Sequence, residues 1–197
     1  MTTIYLIRHA EPDFNVHNDQ ERPLTKKGKE SCKKVNEYLQ DKEIDAIYSS
    51  PYARALETIR PFAEEQAINI ILEEDFRERC MSGKWLDDFR TFAEKQWEDF
   101  QYKLKDGECL AEVQNRAITA LERIINDKDN IVVSSHGTAI CTMINYYDKN
   151  FGIKNFWEIV NLMPFAVKMV FCGTECISIE LLNILGEEPK LVYSYQG

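Results

Sequence analysis

Histidine is scarce in this chain, with three in 197 residues: His9, His17 and His136. Long apolar runs are missing too, and none approaches the roughly 18 residues of a membrane span, so no membrane association is expected. Basic residues are in deficit, 24 Lys and Arg against 33 acids for a net charge of -9, which argues against nucleic acid or an anionic membrane surface as main partner. The opening "MTTIYLIRH" has no signal-peptide layout, because its charges follow the apolar run and no cleavage site appears; a cytoplasmic protein is expected. Paired cysteines are absent as well. Cys32, Cys80, Cys109, Cys141, Cys172 and Cys176 are scattered and read as reduced thiols. Cys172 and Cys176 bracket "GTE", which reads as a hairpin turn, since no second Cys or His pair completes a zinc site. Without repeats, low-complexity segments or a long linker, a chain that is 44% hydrophobic reads as one domain over residues 1–197.

What is present alternates. "IYLIRH", "IDAIYSS", "INIILEE" and "NIVVSSHG" read as strands, separated by helical patterns in "PLTKKGKESCKKVNEYLQDK" (capped near Thr25), "PYARALETIRPFAEEQ" and "LAEVQNRAITALERIIND". A helix follows in "TAICTMINYY", and "AVKMVFCGTECISIELLNI" with "KLVYSY" reads as further strands, the first two joined through Gly173. Such alternation predicts an α/β fold, a three-layer α/β/α sandwich whose mainly parallel sheet gains antiparallel edge strands from the tail.

In open α/β sheets, ligands sit outside the carboxyl ends of the strands, and three such ends carry chemistry here. Arg8 and His9 close the first. The second runs into "SSPYARALET", where Ser50 is placed to cap a helix opening on Pro51, with Arg54 one turn in beside the positive helix end. The third ends on His136, and Gly137 permits a tight entry into the next helix. Taken singly, each has an ordinary structural explanation, an ion pair or a satisfied core imidazole. Two Arg and two His together could serve a metal or a phosphate. Adjacent guanidinium groups repel a divalent cation and match phosphate oxygens in pairs, which favours a phosphoryl pocket with one imidazole as nucleophile and the other as hydrogen-bond donor. The proton donor for a leaving oxygen has one candidate, Glu78 in "EEDFRERCMSGKW", which could equally be a surface carboxylate paired with Arg77 or Arg79.

"LIRHAEPDFN", "YSSPYARALET", "FRERCMSGKW", "DGECLAEVQNR" and "VVSSHG" occur in the order and spacing of the histidine phosphatase superfamily, and the chain resembles that phosphoglycerate mutase-like family over nearly its whole length. The resemblance implies that His9 becomes a phosphohistidine, that Glu78 is general acid and then base, and that Arg8, Arg54 and His136 hold the phosphoryl group. Asn15 matches a phosphate-contacting Asn of the family. No metal or other cofactor is implied, and the implied partner is a small phosphorylated substrate. The implied activity is phosphomonoester hydrolysis, with a phosphoglycerate mutase using the same pocket as the alternative and a binding module without turnover as a third.

The chain departs from the pattern in places. Ala10 stands for the usual Gly after Arg-His, Cys109 for the Ser that opens a capping box with Glu112, and Phe165 where relatives often carry Asn. The loop "VHNDQERPLT" is shorter than in mutases, and Arg79-Cys80-Met81-Ser82 replaces their Arg-His-Tyr-Gly, which favours the phosphatase. Residues 80–108 read as a helical insertion over the pocket, helical from Lys84 to Lys105. Its Trp85, Phe89, Phe92, Trp97, Phe100 and Leu104 recur at helical intervals, as for a lid packed onto the body. His17, in a polar loop, is expected to face solvent.

Overall fold

The computed structural model describes residues 1–82, 86–125 and 128–197. Among them seven strands form one sheet: β1 (Thr2–Arg8), β2 (Ala46–Ser49), β3 (Ile70–Leu72), β4 (Asn130–Ser135), β5 (Ala166–Cys172), β6 (Glu175–Asn183) and β7 (Lys190–Gln196). Their order is β3-β2-β4-β1-β5-β6-β7. The first four in space run parallel, and β5, β6 and β7 continue the sheet antiparallel, β5 and β6 turning at Gly173 with φ +59°.

The helices are α1 (Lys26–Leu39), α2 (Ala53–Glu65), α3 (Phe89–Glu98), α4 (Leu110–Ile124), α5 (Gly137–Tyr147) and α6 (Ile153–Ile159). Alternation along the strands decides which face each helix covers. Tyr5 and Ile7 of β1 and Val132 of β4 pack with Val35, Leu39, Ile59 and Phe62 from α1 and α2. Ile4, Leu6, Ile131 and Val133 point the other way, into a core with Leu121, Ile140, Ile144 and Phe156 from α4, α5 and α6. Both faces of β1 and β4 are therefore buried, as central parallel strands require, while the edge strand β3 leaves Ile71 and Leu72 exposed. Each large side chain so buried contributes roughly 1.5–3 kcal/mol, which makes β1 and β4, central and covered twice, the firmest platform in the molecule.

Local signals hold where side chains can satisfy helix ends. Thr25 caps α1, its hydroxyl accepting from Gly28 N at 2.9 Å. Glu112 of α4 accepts from Cys109 N at 2.9 Å, so the capping box keeps its acidic half. The insertion is less helical than expected. α3 spans only Phe89–Glu98, because Asp88 caps it, accepting from Thr91 N at 3.0 Å, and the backbone turns extended at Asp99. Lys84 and Trp85 lie outside the described residues. The other aromatics do pack onto the body: Phe92 is buried, Phe89 meets Trp157 edge-on at 6.1 Å, and Trp97 meets Phe151 and Phe156 at 6.4 and 6.0 Å. Their main support, α6, is a short helix that the sequence pattern did not mark.

Candidate active site

Parallel pairing of β1 with β4 sets Arg8 opposite Ser135, so the next residue of each strand brings His9 beside His136. Their ring centroids lie 5.2 Å apart. At the end of β2, Ser50 N donates to Ser134 O at 2.9 Å and draws the third strand end into the same place. The two serines of "SSHG" anchor the surroundings: Ser134 donates to Ala55 O in α2, and Ser135 to Phe76 O, at 2.8 and 2.7 Å.

His9 has a defined tautomer. Its Nδ1 is 2.7 Å from Ala10 O, a pure acceptor, so Nδ1 carries the proton and Nε2 the lone pair. Arg54 Nε donates to that Nε2 at 3.2 Å. Burial, then the Arg54 and Arg8 charges, hold the His9 pKa well below the ordinary imidazole value, which leaves the ring neutral and nucleophilic at neutral pH. His136 is fully buried and shifted the same way, first by burial and then by Arg54. Its Nε2 meets Ser50 Oγ at 2.8 Å, while its Nδ1 is buried without a partner. Ser50 therefore does not cap α2. The residue before proline is steered away from helix, α2 starts at Ala53 with Tyr52 as cap residue, and the Ser50 hydroxyl accepts from Tyr52 N at 3.3 Å while it holds His136 Nε2.

Arg54, 3% exposed, is cradled on the Tyr52 ring at 5.1 Å. Beyond His9 it holds one loop residue twice, Nη1 donating to Asp19 O at 2.5 Å and Nη2 lying 3.2 Å from Asp19 Oδ1. Arg22 Nη1 reaches the same carboxylate oxygen at 2.7 Å. Arg8 is placed differently. Its Nη1 donates to the carbonyls of Ile159, Val160 and Leu162, at 3.0, 2.8 and 3.1 Å, closing the C-terminal end of α6, while its Nε is buried without a partner. Burial lowers its pKa to about 10, yet the group stays cationic at neutral pH. Gly137 keeps this packing free of strain, since a Cβ there would lie 3.1 Å from Arg8 Cζ and Nε, a contact that the guanidinium would have to relieve by a few tenths of an ångström.

Glu78 lies at the N-terminal end of α5. Its Oε2 accepts from Thr138 N at 3.1 Å and its Oε1 from Arg79 N at 2.8 Å, so the helix end and two amides hold the carboxylate. Arg116 of α4 fixes the segment that carries it, donating to the carbonyls of Asp75, Arg77 and Glu78 at 2.7, 3.0 and 3.3 Å. Glu108 completes the clamp, accepting from Arg116, Arg77 and Cys80 N. Arg79 points away, buried against Phe89 and Phe92 and bonded to Gln96.

Direct hydrogen bonds thus join His9 to Arg54 and His136 to Ser50, and the Glu78 carboxylate accepts from the amide of Thr138, two residues past His136 on α5. Asn15 is exposed, its amide held by Asp13 Oδ1 at 2.8 Å, and His17 is exposed nearby. Asp19, Arg22, Ser50 as an imidazole partner, Glu108 and Arg116 were not singled out from sequence. Glu108 and Arg116 did carry a signal, since both fall inside "DGECLAEVQNR", Glu108 just before the cap residue Cys109 and Arg116 on α4.

Residues 4–184 match the family model of the Histidine phosphatase superfamily (branch 1). The chain belongs to this superfamily. It is 32% identical over 153 residues to Phosphoserine phosphatase 1 of Hydrogenobacter thermophilus, covering 69% of this chain and 71% of that one. It is 26% identical over 159 residues to Probable phosphoglycerate mutase GpmB of Shigella dysenteriae, covering 74% of each. The solved structure of Bacillus stearothermophilus YhfR superposes with a TM-score of 0.73 at 27% identity, covering 89% of this chain and 94% of that one.

Proposed function

We propose that this chain hydrolyses small phosphomonoesters through a phosphohistidine on His9. One observation carries it: a buried neutral imidazole whose lone pair at Nε2 faces the Arg54 guanidinium, with a second neutral imidazole and the Glu78 carboxylate at adjoining strand and helix ends. In the first step His9 Nε2 bonds to phosphorus while the P–O bond to the leaving group breaks, and protonated Glu78 delivers its proton to the departing oxygen. In the second, Glu78 takes a proton from water, whose oxygen displaces His9 and releases inorganic phosphate. Arg54, Arg8 and the His136 ring face the charge spread over the phosphoryl oxygens, so guanidinium groups supply the stabilisation that metals supply in other phosphoryl transfers. Asn15 would join them only if its loop turned inward. The acidic surface fits a cytoplasmic enzyme of small metabolites, in which residues 80–108 form an insertion at the rim of a single domain.

Hydrolysis is favoured over mutase chemistry because Arg79-Cys80-Met81-Ser82 follows Glu78 where mutases carry Arg-His-Tyr-Gly, and because the loop after the first motif is short. With 3-phosphoglycerate and a bisphosphoglycerate primer, phosphate release should outpace formation of 2-phosphoglycerate. Rapid quench with radiolabelled substrate should trap an acid-labile, base-stable phosphoenzyme that His9→Ala cannot form, whereas His17→Ala still forms it. A fully active His9→Ala protein would end the proposal.

A further inference from the structure

The carboxylate of Asp19 stands where the guanidinium groups of Arg54 and Arg22 converge, at 3.2 and 2.7 Å from one oxygen. Two cations on one carboxylate oxygen is the arrangement that a phosphoryl oxygen would itself seek. Arg54 gives its Nε hydrogen to His9 and one from Nη1 to the Asp19 carbonyl, while its Nη2 faces the Asp19 carboxylate, so a phosphoryl oxygen approaching Nη2 meets an anion already there. A phosphoryl group bonding to His9 Nε2 must take the hydrogen bond that Arg54 Nε now gives the ring.

Resting on the phosphoryl reading of this pocket, we propose that Asp19 is a displaceable counter-ion. It competes with phosphoryl oxygens for Arg54 and Arg22, and so sets how tightly phosphate is held and how readily product phosphate leaves. The loop around it is built for such an exchange. Its backbone is tied down on both sides of Asp19, by Arg22 Nε to Val16 O at 2.8 Å, by Ala53 N to Gln20 O at 2.9 Å, and by Asp13 N to Pro23 O at 2.8 Å. The Asp19 side chain itself is 42% exposed, so a rotation about its own torsions carries the carboxylate into water without moving the loop. Arg54, buried and stacked on Tyr52, stays in place and exchanges one anion for the other. Two opposing effects follow from the same contact. The carboxylate keeps two cations from repelling one another before the anion arrives, and it raises the affinity threshold that the anion must pass. After hydrolysis the carboxylate returns to Arg54 as phosphate departs, which shortens the life of the product complex.

The sign of the effect separates a competitor from a strut. Removing a competitor tightens anion binding, whereas removing a strut that aims Arg54 weakens it. Isothermal titration of inorganic phosphate into the purified protein should give a Kd about 3- to 10-fold lower for Asp19→Asn than for wild type, the scale of one partly exposed pair to a buried Arg. The KM should fall in parallel, phosphate inhibition should strengthen, and kcat should hold or drop as release slows. Asp19→Ser should behave like Asp19→Asn, and Asp19→Glu should return to within about twofold of wild type. Unchanged or weaker phosphate binding in the Asn and Ser variants, at wild-type melting temperature, would overturn the competitor role. Wild-type protein that neither binds phosphate nor forms the phosphoenzyme would remove the phosphoryl pocket itself, and Asp19's role with it.

Discussion

Glu108→Gln tests how the Glu78 segment is held. The Glu108 carboxylate takes Arg77 Nη2 at 2.8 Å, Arg116 Nε and Nη2 at 2.9 and 3.1 Å, and Cys80 N at 3.0 Å. The pairs are mostly shielded, with side-chain exposures of 16% for Glu108, 11% for Arg116 and 24% for Arg77. Burial alone would raise the Glu108 pKa, but the hydrogen bonds from Arg116 and Cys80 N and the two Arg charges outweigh it, and the carboxyl lies below its usual range. A glutamine keeps one acceptor oxygen and turns an NH2 group toward two guanidinium groups. Breaking a fully buried pair from one side costs about 3–5 kcal/mol, and the residual exposure here reduces that to roughly 2–3 kcal/mol. For a chain of this size that is a fall in Tm of about 5–10 °C.

Linkage supplies a stricter check on the same variant. A carboxylate whose folded pKa is depressed adds stability that is complete above its unfolded pKa and lost as pH falls through the folded one. The Tm gap between wild type and Glu108→Gln should therefore be full above about pH 5 and close progressively below about pH 4. Melts followed by circular dichroism across that range decide it. A gap under 1 °C at neutral pH, or a gap that stays constant down to pH 3, would refute the clamp.

Glu78→Gln should slow turnover of alkyl phosphates by roughly 10²–10⁴-fold, with a much smaller deficit on p-nitrophenyl phosphate, whose leaving group needs little protonation; equal deficits on both would take Glu78 out of proton transfer. Gly137→Ala places a methyl 3.1 Å from the Arg8 guanidinium, which three carbonyls keep from yielding, so kcat/KM should fall at least about tenfold with roughly 1–2 kcal/mol of stability. Wild-type kinetics and Tm in that variant would mean that Arg8 has room to shift.

The sheet's parallel half and its three reactive ends were legible because buried strands leave a strong apolar signature that stops where polar chemistry begins. In β1 that boundary falls on Arg8, and in β4 on Ser134, two residues before His136. Tail hairpin and helix caps were equally local, as Thr25 and Gly173 show. What was not legible depends on distance in the chain. Arg116 meets Glu78 O across 38 residues, and Asp19 meets Arg54 across 35, so neither contact leaves a periodic trace. Ser50 fits the commoner task of its type, helix capping, and only the neighbouring strand end reveals that its hydroxyl also faces His136. α3 was overextended because aromatics at helical spacing continue past Asp99, where the backbone no longer does.

Arg8 shows how one side chain can be read correctly for charge and incompletely for task. A guanidinium at the tip of a buried strand needs an anion or a set of carbonyls, and the structure supplies carbonyls at the end of α6. The same segment lies beside Phe165, whose carbonyl accepts from Arg8 N at 3.0 Å and whose ring flanks the guanidinium at 5.6 Å. Through Phe156 and Trp157, α6 also carries Phe89 and Trp97 of the insertion. On the proposed function, Arg8 is therefore both a charge at the phosphoryl pocket and the bolt that fixes the support of the insertion to β1. In the proposed pocket, a substrate that draws Arg8 toward its phosphoryl oxygens pulls against the end of α6, and because the three carbonyl bonds all use Nη1, the buried, unpartnered Nε and the Nη2 hydrogens are what Arg8 can offer without releasing the helix.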